Sequence, residues 1–240
     1  MTHPFASVLI VFAGSLCNCA SAQPPAAEEP ALLDWKTAEP PVLTRHIQLT
    51  SRDQFVKAGE AYFSPDASWI IFQAVPIPEE GKQPDPFYSM YVAKVSHGSD
   101  GGISGIGSPV RVSPPGSANT CGWFNPVLKG SVLFGSTIDR PKTDQKGGFQ
   151  VGARKYVWLF PEETEVCERL VPEMLTDARS GAAQIASWAD DKRTTTPVPV
   201  FSRPDYDAEC SYSADGRFVL YSHVRPVKTN GRDDADIWVY

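Results

Sequence analysis

The chain is poor in the residue patterns that carry catalysis. No G-x-S-x-G occurs in its 240 residues. Gly102-Ile103-Ser104 begins one, but Ile106 stands where the second glycine belongs. A nucleophile elbow of the α/β-hydrolase kind is therefore excluded within this sequence. Histidine is scarce. Beyond His3 the chain carries only His46, His97 and His223, scattered, with no H-E-x-x-H pair. His223 reads as a surface or sheet-edge residue rather than a catalytic one. Positive charge is also short: 22 Lys and Arg against 28 Asp and Glu give a net charge of −6. That excludes a general electrostatic attraction to nucleic acid or to an anionic membrane.

Charge is missing altogether from the first 22 residues. Phe5 to Leu16 form an apolar run of signal-peptide length, too short to span a bilayer. Ala20 and Ala22 follow in the small-residue pattern of a cleavage point. Residues 1–22 are expected to be a secretory signal and the protein to be periplasmic or extracellular. A lipoprotein is disfavoured, because Leu16 and Asn18 precede Cys17 and Cys19. A buried apolar N-terminal segment is the remaining alternative. Export leaves Cys121, Cys167 and Cys210, an odd number at wide spacings and without a C-x-x-C pattern. One disulfide, or three packed or free thiols, fit equally.

Proline (22) and glycine (18) are plentiful, as are aromatics, which suits short strands joined by turns better than long helices. Residues 23–42 are rich in Pro, Ala and Glu and read as a linker or arm. Beyond them the chain repeats itself. Ser64-Pro65-Asp66 aligns with Ser213-Ala214-Asp215, which sets Glu60 on Glu209 and Trp69–Phe72 on Phe218–Tyr221. A looser copy lies between, with Phe124-Asn125-Pro126 as its turn and Ser131–Phe134 as its apolar run. Each copy reads as strand, tight turn, strand. The apolar runs are continuous, as in strands covered on both faces. Phe87–Val95, Lys155–Glu163 and Asp234–Tyr240 look like the third strand of each unit. Pro109–Ser113 and Cys167–Val171 suggest a fourth. Two insertions, Pro141–Arg154 and Met174–Thr196, separate the copies, the second with a short helix over Ala182–Ala189.

These copies resemble the PD40, or WD40-like, repeats of TolB-type β-propeller proteins. Gly59–Phe72 and Tyr206–Tyr221 match well, Thr120–Phe134 loosely, and "DADIWVY" resembles the strand that follows the repeat in that family. The departures are Ala67 for the turn glycine, Ala214 for the turn proline, and the absent Asp-Gly pair in the middle copy. The resemblance implies an all-β fold, a β-propeller of four-stranded blades. About three blades fit within residues 43–240, so the propeller is expected to be incomplete and the chain to be the front part of a longer protein. Assembly of partial propellers from separate chains is the alternative.

The implied function is that of an exported, non-catalytic protein-interaction scaffold of the cell envelope, with no cofactor, no metal and an unidentified protein partner. The alternative is the N-terminal propeller portion of a prolyl oligopeptidase-type serine peptidase, or of another hydrolase whose catalytic domain lies beyond residue 240. The candidate binding residues are Glu60 and Glu209. They form either part of a carboxylate ring for a cation or basic segment, or a piece of repeat architecture that closes a turn or caps a backbone amide. The second reading is the stronger one. Asp233, Asp234 and Asp236 are expected to form a solvated loop.

Overall fold

In the computed structural model the described residues are 45–142, 148–150, 155–157, 161–175, 180–225 and 234–240. The proposed signal and arm (residues 1–42), with Cys17 and Cys19, lie outside them, as does Asp233. Residues Ile47–Tyr240 form one unit, whose regular structure is mostly antiparallel sheet.

The first sheet contains β1 (Phe55–Phe63), β2 (Trp69–Pro76), β3 (Ser89–His97) and β4 (Ile103–Ile106), in that spatial order, with β5 (Val110–Arg111) also pairing β3. The second begins with β6 (Asn119–Phe124) and β7 (Ser131–Ser136). A separate hairpin of β8 (Gly148–Gln150) and β9 (Lys155–Val157) intervenes. The second sheet then resumes with β10 (Glu165–Leu170) and, beyond helix α1 (Ser180–Ser187), β11 (Val198–Pro199). Its order is β11-β10-β7-β6. The third sheet is β12 (Tyr206–Tyr212), β13 (Val219–Arg225) and β14 (Asp234–Val239). Among the described residues no helix is long and apolar enough to cross a membrane.

The three repeats are thus the three hairpins β1-β2, β6-β7 and β12-β13. Their turns work by one mechanism. Ser64 N–H donates to Trp69 O at 2.8 Å, Trp69 N–H donates to Ser64 Oγ at 2.9 Å, and Ser64 Oγ donates to Asp66 Oδ1 at 2.7 Å. Ser213, Asp215 and Phe218 repeat these bonds at 2.9, 3.0 and 2.6 Å. Hydrogen bonds from Ser68 and Ser64 hold the Asp66 carboxyl down at about 2. In the middle copy Asn125 Oδ1 accepts from the backbone N–H of Val127 and Leu128 instead, which accommodates its two extra residues.

The fourth turn residue must be left-handed. Gly216 adopts φ 69° and Ala67 adopts φ 54° at the equivalent place. A Cβ there costs about 1 kcal/mol, against a smaller gain from a stiffer unfolded chain. Ala67→Gly is therefore expected to stabilise the protein by about 0.5 kcal/mol, read from the denaturant midpoint at unchanged slope. No gain, or a loss, would show that the turn carries no strain at Ala67.

Packing explains the continuous apolar runs. On β7, Val132 and Phe134 join Trp69, Ile71, Met90 and Val92 of the first sheet in one core. Leu133, pointing the other way, joins Val166, Cys210, Val219 and Tyr221, facing the third sheet. The second sheet is therefore covered on both faces. The first sheet is also covered on both: Phe55, Ile70, Phe72 and Tyr91 close its other side with Leu49, Ile103 and Ile106. The third sheet departs from the expectation. Leu220 occupies the position of Ile71 and Leu133, yet it is 49% exposed where they are fully buried.

Three assignments are corrected. Lys155–Glu163 is not the third strand of its unit. Its residues 155–157 pair with β8, and the third strand is β10, whose Val166, Cys167 and Leu170 are fully buried. Cys167–Val171 therefore belongs to the third strand, and the fourth is β11. Asp234 and Asp236 lie on strand β14 rather than in a loop, opposite Arg225 and His223, and both pair with the Arg225 guanidinium. The inserted helix falls at Ser180–Ser187, two residues before its expected start.

Candidate functional site

Each hairpin's first strand contains a bulge, at the same place in each. The pairing slips between Gly59 and Tyr62, between Thr120 and Gly122, and between Ala208 and Ser211. Within each slip sits one non-glycine residue in the left-handed region: Glu60 at φ 46°, Cys121 at φ 41° and Glu209 at φ 53°. A bulge re-aims the side chain it carries. Here three bulges from three sheets aim at one point, and one donor atom of each side chain lies within 4.8 Å of the other two.

Cys121 is at the centre. Its Sγ is 3.0 Å from Glu60 Oε2 and lies closer still to Glu209 Oε2. Tyr206 Oη donates to Glu209 Oε1 at 2.8 Å, and Thr120 Oγ1 reaches the same oxygen at 3.4 Å. Among the described residues these hydrogen bonds to the two carboxylates come from side chains. Burial, with the charge of Glu209 second, pushes the Cys121 thiol well up. Burial and the same carboxylate raise Tyr206. The site is graded in depth: Tyr206 is buried, Cys121 and Glu209 are half-buried, and Glu60 is exposed. The described ion pairs all involve other acids. Two carboxylates therefore converge with no cationic side chain among the described residues to balance them.

Glu60 and Glu209 are thus brought together as their shared register suggests, and Cys121 is the residue that sequence reasoning missed. The signal was present. Cys121 stands four residues before Asn125, as Glu60 stands four before Ser64 and Glu209 four before Ser213. The change of residue type hid it. Cys121, Cys167 and Cys210 are all free, and the last two are buried.

A second polar group lies one rung away. The bulge residue minus two is paired across its hairpin in every sheet: Ala58 with Ala74, Asn119 with Ser136, and Asp207 with His223. The first pair is apolar. In the second, Ser136 Oγ donates to Asn119 Oδ1 at 2.7 Å while Asn119 Nδ2 donates to the carbonyl of Tyr88, the residue just before β3, at 2.8 Å. In the third, Asp207 is fully buried, 2.8 Å from His223 Nδ1 and held by both Nε and a terminal nitrogen of Arg203 at 2.9 and 3.0 Å. Trp238 covers this group, 4.5 Å from the Arg203 guanidinium and edge-on to His223. His223 is therefore buried and not at the surface, a correction with a plain cause: its ring is the partner of a buried carboxylate.

A scan of the chain against protein-family models finds no match, and a search of curated proteins finds none either.

Proposed function

We propose that this protein is an exported, non-catalytic binding scaffold of propeller type, and that its three first strands present a site for a cationic ligand. One observation carries the site: three repeat-equivalent bulges bring Glu60, Cys121 and Glu209 within 4.8 Å of one another. Two carboxylates with no ion-pair partner among the described residues favour a positive ligand, whether a metal ion or a basic side chain of a protein partner.

The propeller reading draws support from three features. The sheets pack face to face in chain order. Their first strands lie side by side, β1 against β6 and β6 against β12. The outward face of the third sheet, with Leu220, Ile237 and Val239 exposed, offers the surface on which a further sheet of such a series would pack.

The test is titration with an oligolysine peptide in the presence of a chelator, at low and high salt. Binding should weaken with salt and be largely lost in the Glu60→Gln/Glu209→Gln double variant, whose melting temperature should not fall. A double variant that loses stability, or that binds the peptide as well as the parent, would return the two glutamates to a structural role.

A further inference from the structure

We infer that Glu60, Cys121 and Glu209 form a binding site for a thiophilic divalent cation, of which zinc is the fitting example. The inference rests on the reading of these residues as a cationic-ligand site and narrows it to a metal.

Three facts point this way. First, the donor set is mixed. A thiol sulfur with two carboxylate oxygens suits zinc, which takes sulfur and oxygen together, whereas calcium and magnesium prefer oxygen alone. Second, protons are too few for the contacts. Cys121 has one S–H, yet its sulfur lies against oxygens of both glutamates. One of those contacts therefore sets two acceptors against each other unless a cation or a further proton stands between them. Third, among the described residues no ion pair reaches either carboxylate.

The spacing also fits. Donors about 2.0–2.3 Å from a tetrahedral zinc stand roughly 3.3–3.8 Å apart. The three donor atoms here, all within 4.8 Å of one another, need only small side-chain adjustments to reach that spacing. On binding, the S–H bond of Cys121 breaks, its proton passes to solvent, and a sulfur–metal bond forms. Tyr206, donating to Glu209 Oε1, orients that carboxylate from behind and leaves Oε2 toward the metal. Three protein donors leave one position of a tetrahedral ion for a ligand from outside, on the side where Glu60 is exposed. A protein partner of the scaffold that supplies a histidine or carboxylate could complete it.

The experiment is titration of the chelator-treated chain with cobalt, then zinc displacement against a chromophoric competitor. One cobalt per chain is expected, with a thiolate-to-cobalt charge-transfer band that zinc abolishes. Cys121→Ala should remove the band. Glu60→Gln, at an exposed position and so safe for folding, should weaken zinc at least tenfold, and Glu209→Gln should do the same or more. The inference is overturned if no metal binds above the level of a variant combining Glu60→Gln, Cys121→Ala and Glu209→Gln, or if the band survives Cys121→Ala and so belongs to Cys167 or Cys210. If zinc fails but oligolysine still binds in a Glu60- and Glu209-dependent way, the metal is wrong and the cationic-ligand reading stands. If both fail, both are wrong.

Discussion

Asp207→Ala is expected to destabilise the protein by about 3–5 kcal/mol, the usual cost of removing one partner from a buried ion pair. For a chain of this size that is on the order of 10 °C in Tm. The reasons are local. Asp207 is fully buried and is the only acceptor seen for both nitrogens of the Arg203 fork and for His223 Nδ1 among the described contacts. Without it the guanidinium stays between Tyr221 and Trp238 with its two hydrogen bonds to a carboxylate lost. Asp207→Asn keeps the volume and part of the hydrogen bonding, so about half the loss is expected. Salt should change little, because a pair this deep is poorly screened. Chemical denaturation of both variants checks the ordering. A loss under about 1 kcal/mol for the alanine variant would mean that Arg203 and His223 find other partners.

Gly135→Val is the second large effect. A Cβ at Gly135 would sit 2.6 Å from Ala208 Cβ and 3.0 Å from Thr120 Cγ2. Ala208 has no rotamer with which to yield, and its backbone belongs to β12. The second and third sheets must then move apart, at a cost of about 3 kcal/mol, the upper end for overpacking. Gly122 gives the contrast. Its added Cβ would meet the ends of Ile71 and Met90 at 2.4–2.7 Å. Those side chains are longer and can swing, so Gly122→Ala should cost about 1 kcal/mol. The close approach at Gly135 is also testable by compensation: Ala208→Gly should recover a good part of the loss from Gly135→Ala, giving a clear coupling in a double-mutant cycle.

What the sequence made legible follows from locality. The Ser-x-Asp turns are written in adjacent residues, and each closes its own hairpin, so β1-β2 and β12-β13 are readable without tertiary knowledge. The register of Glu60 and Glu209 is readable for the same reason, since it is counted from those turns. The bulge that aims them inward was not legible. It appears only as a left-handed φ at residues that no propensity marks for it. Cys121 was hidden because repeat comparison looks for matching residue types, whereas the site uses matching positions. Asp207 and His223 were hidden for a different reason. Their partnership is across strands, and the equivalent rungs hold Ala58–Ala74 and Asn119–Ser136, so the repeat gives no hint of a buried charge in the third sheet. The third strand of the second sheet was misread because Lys155–Phe160 alternates more cleanly than Glu165–Leu170. What decides the matter is burial: Val166 packs toward the third sheet, while Leu170 packs with Leu175 and Trp188.

The most direct test of the convergent site is X-ray absorption at the zinc edge, on the full chain loaded with one equivalent of zinc. One sulfur at about 2.3 Å with oxygen donors at about 2.0–2.2 Å is the predicted first shell, and the sulfur should vanish in Cys121→Ala. A shell with two sulfurs, with none, or with a sulfur that persists in that variant would contradict the meeting of Glu60, Cys121 and Glu209 at a single metal.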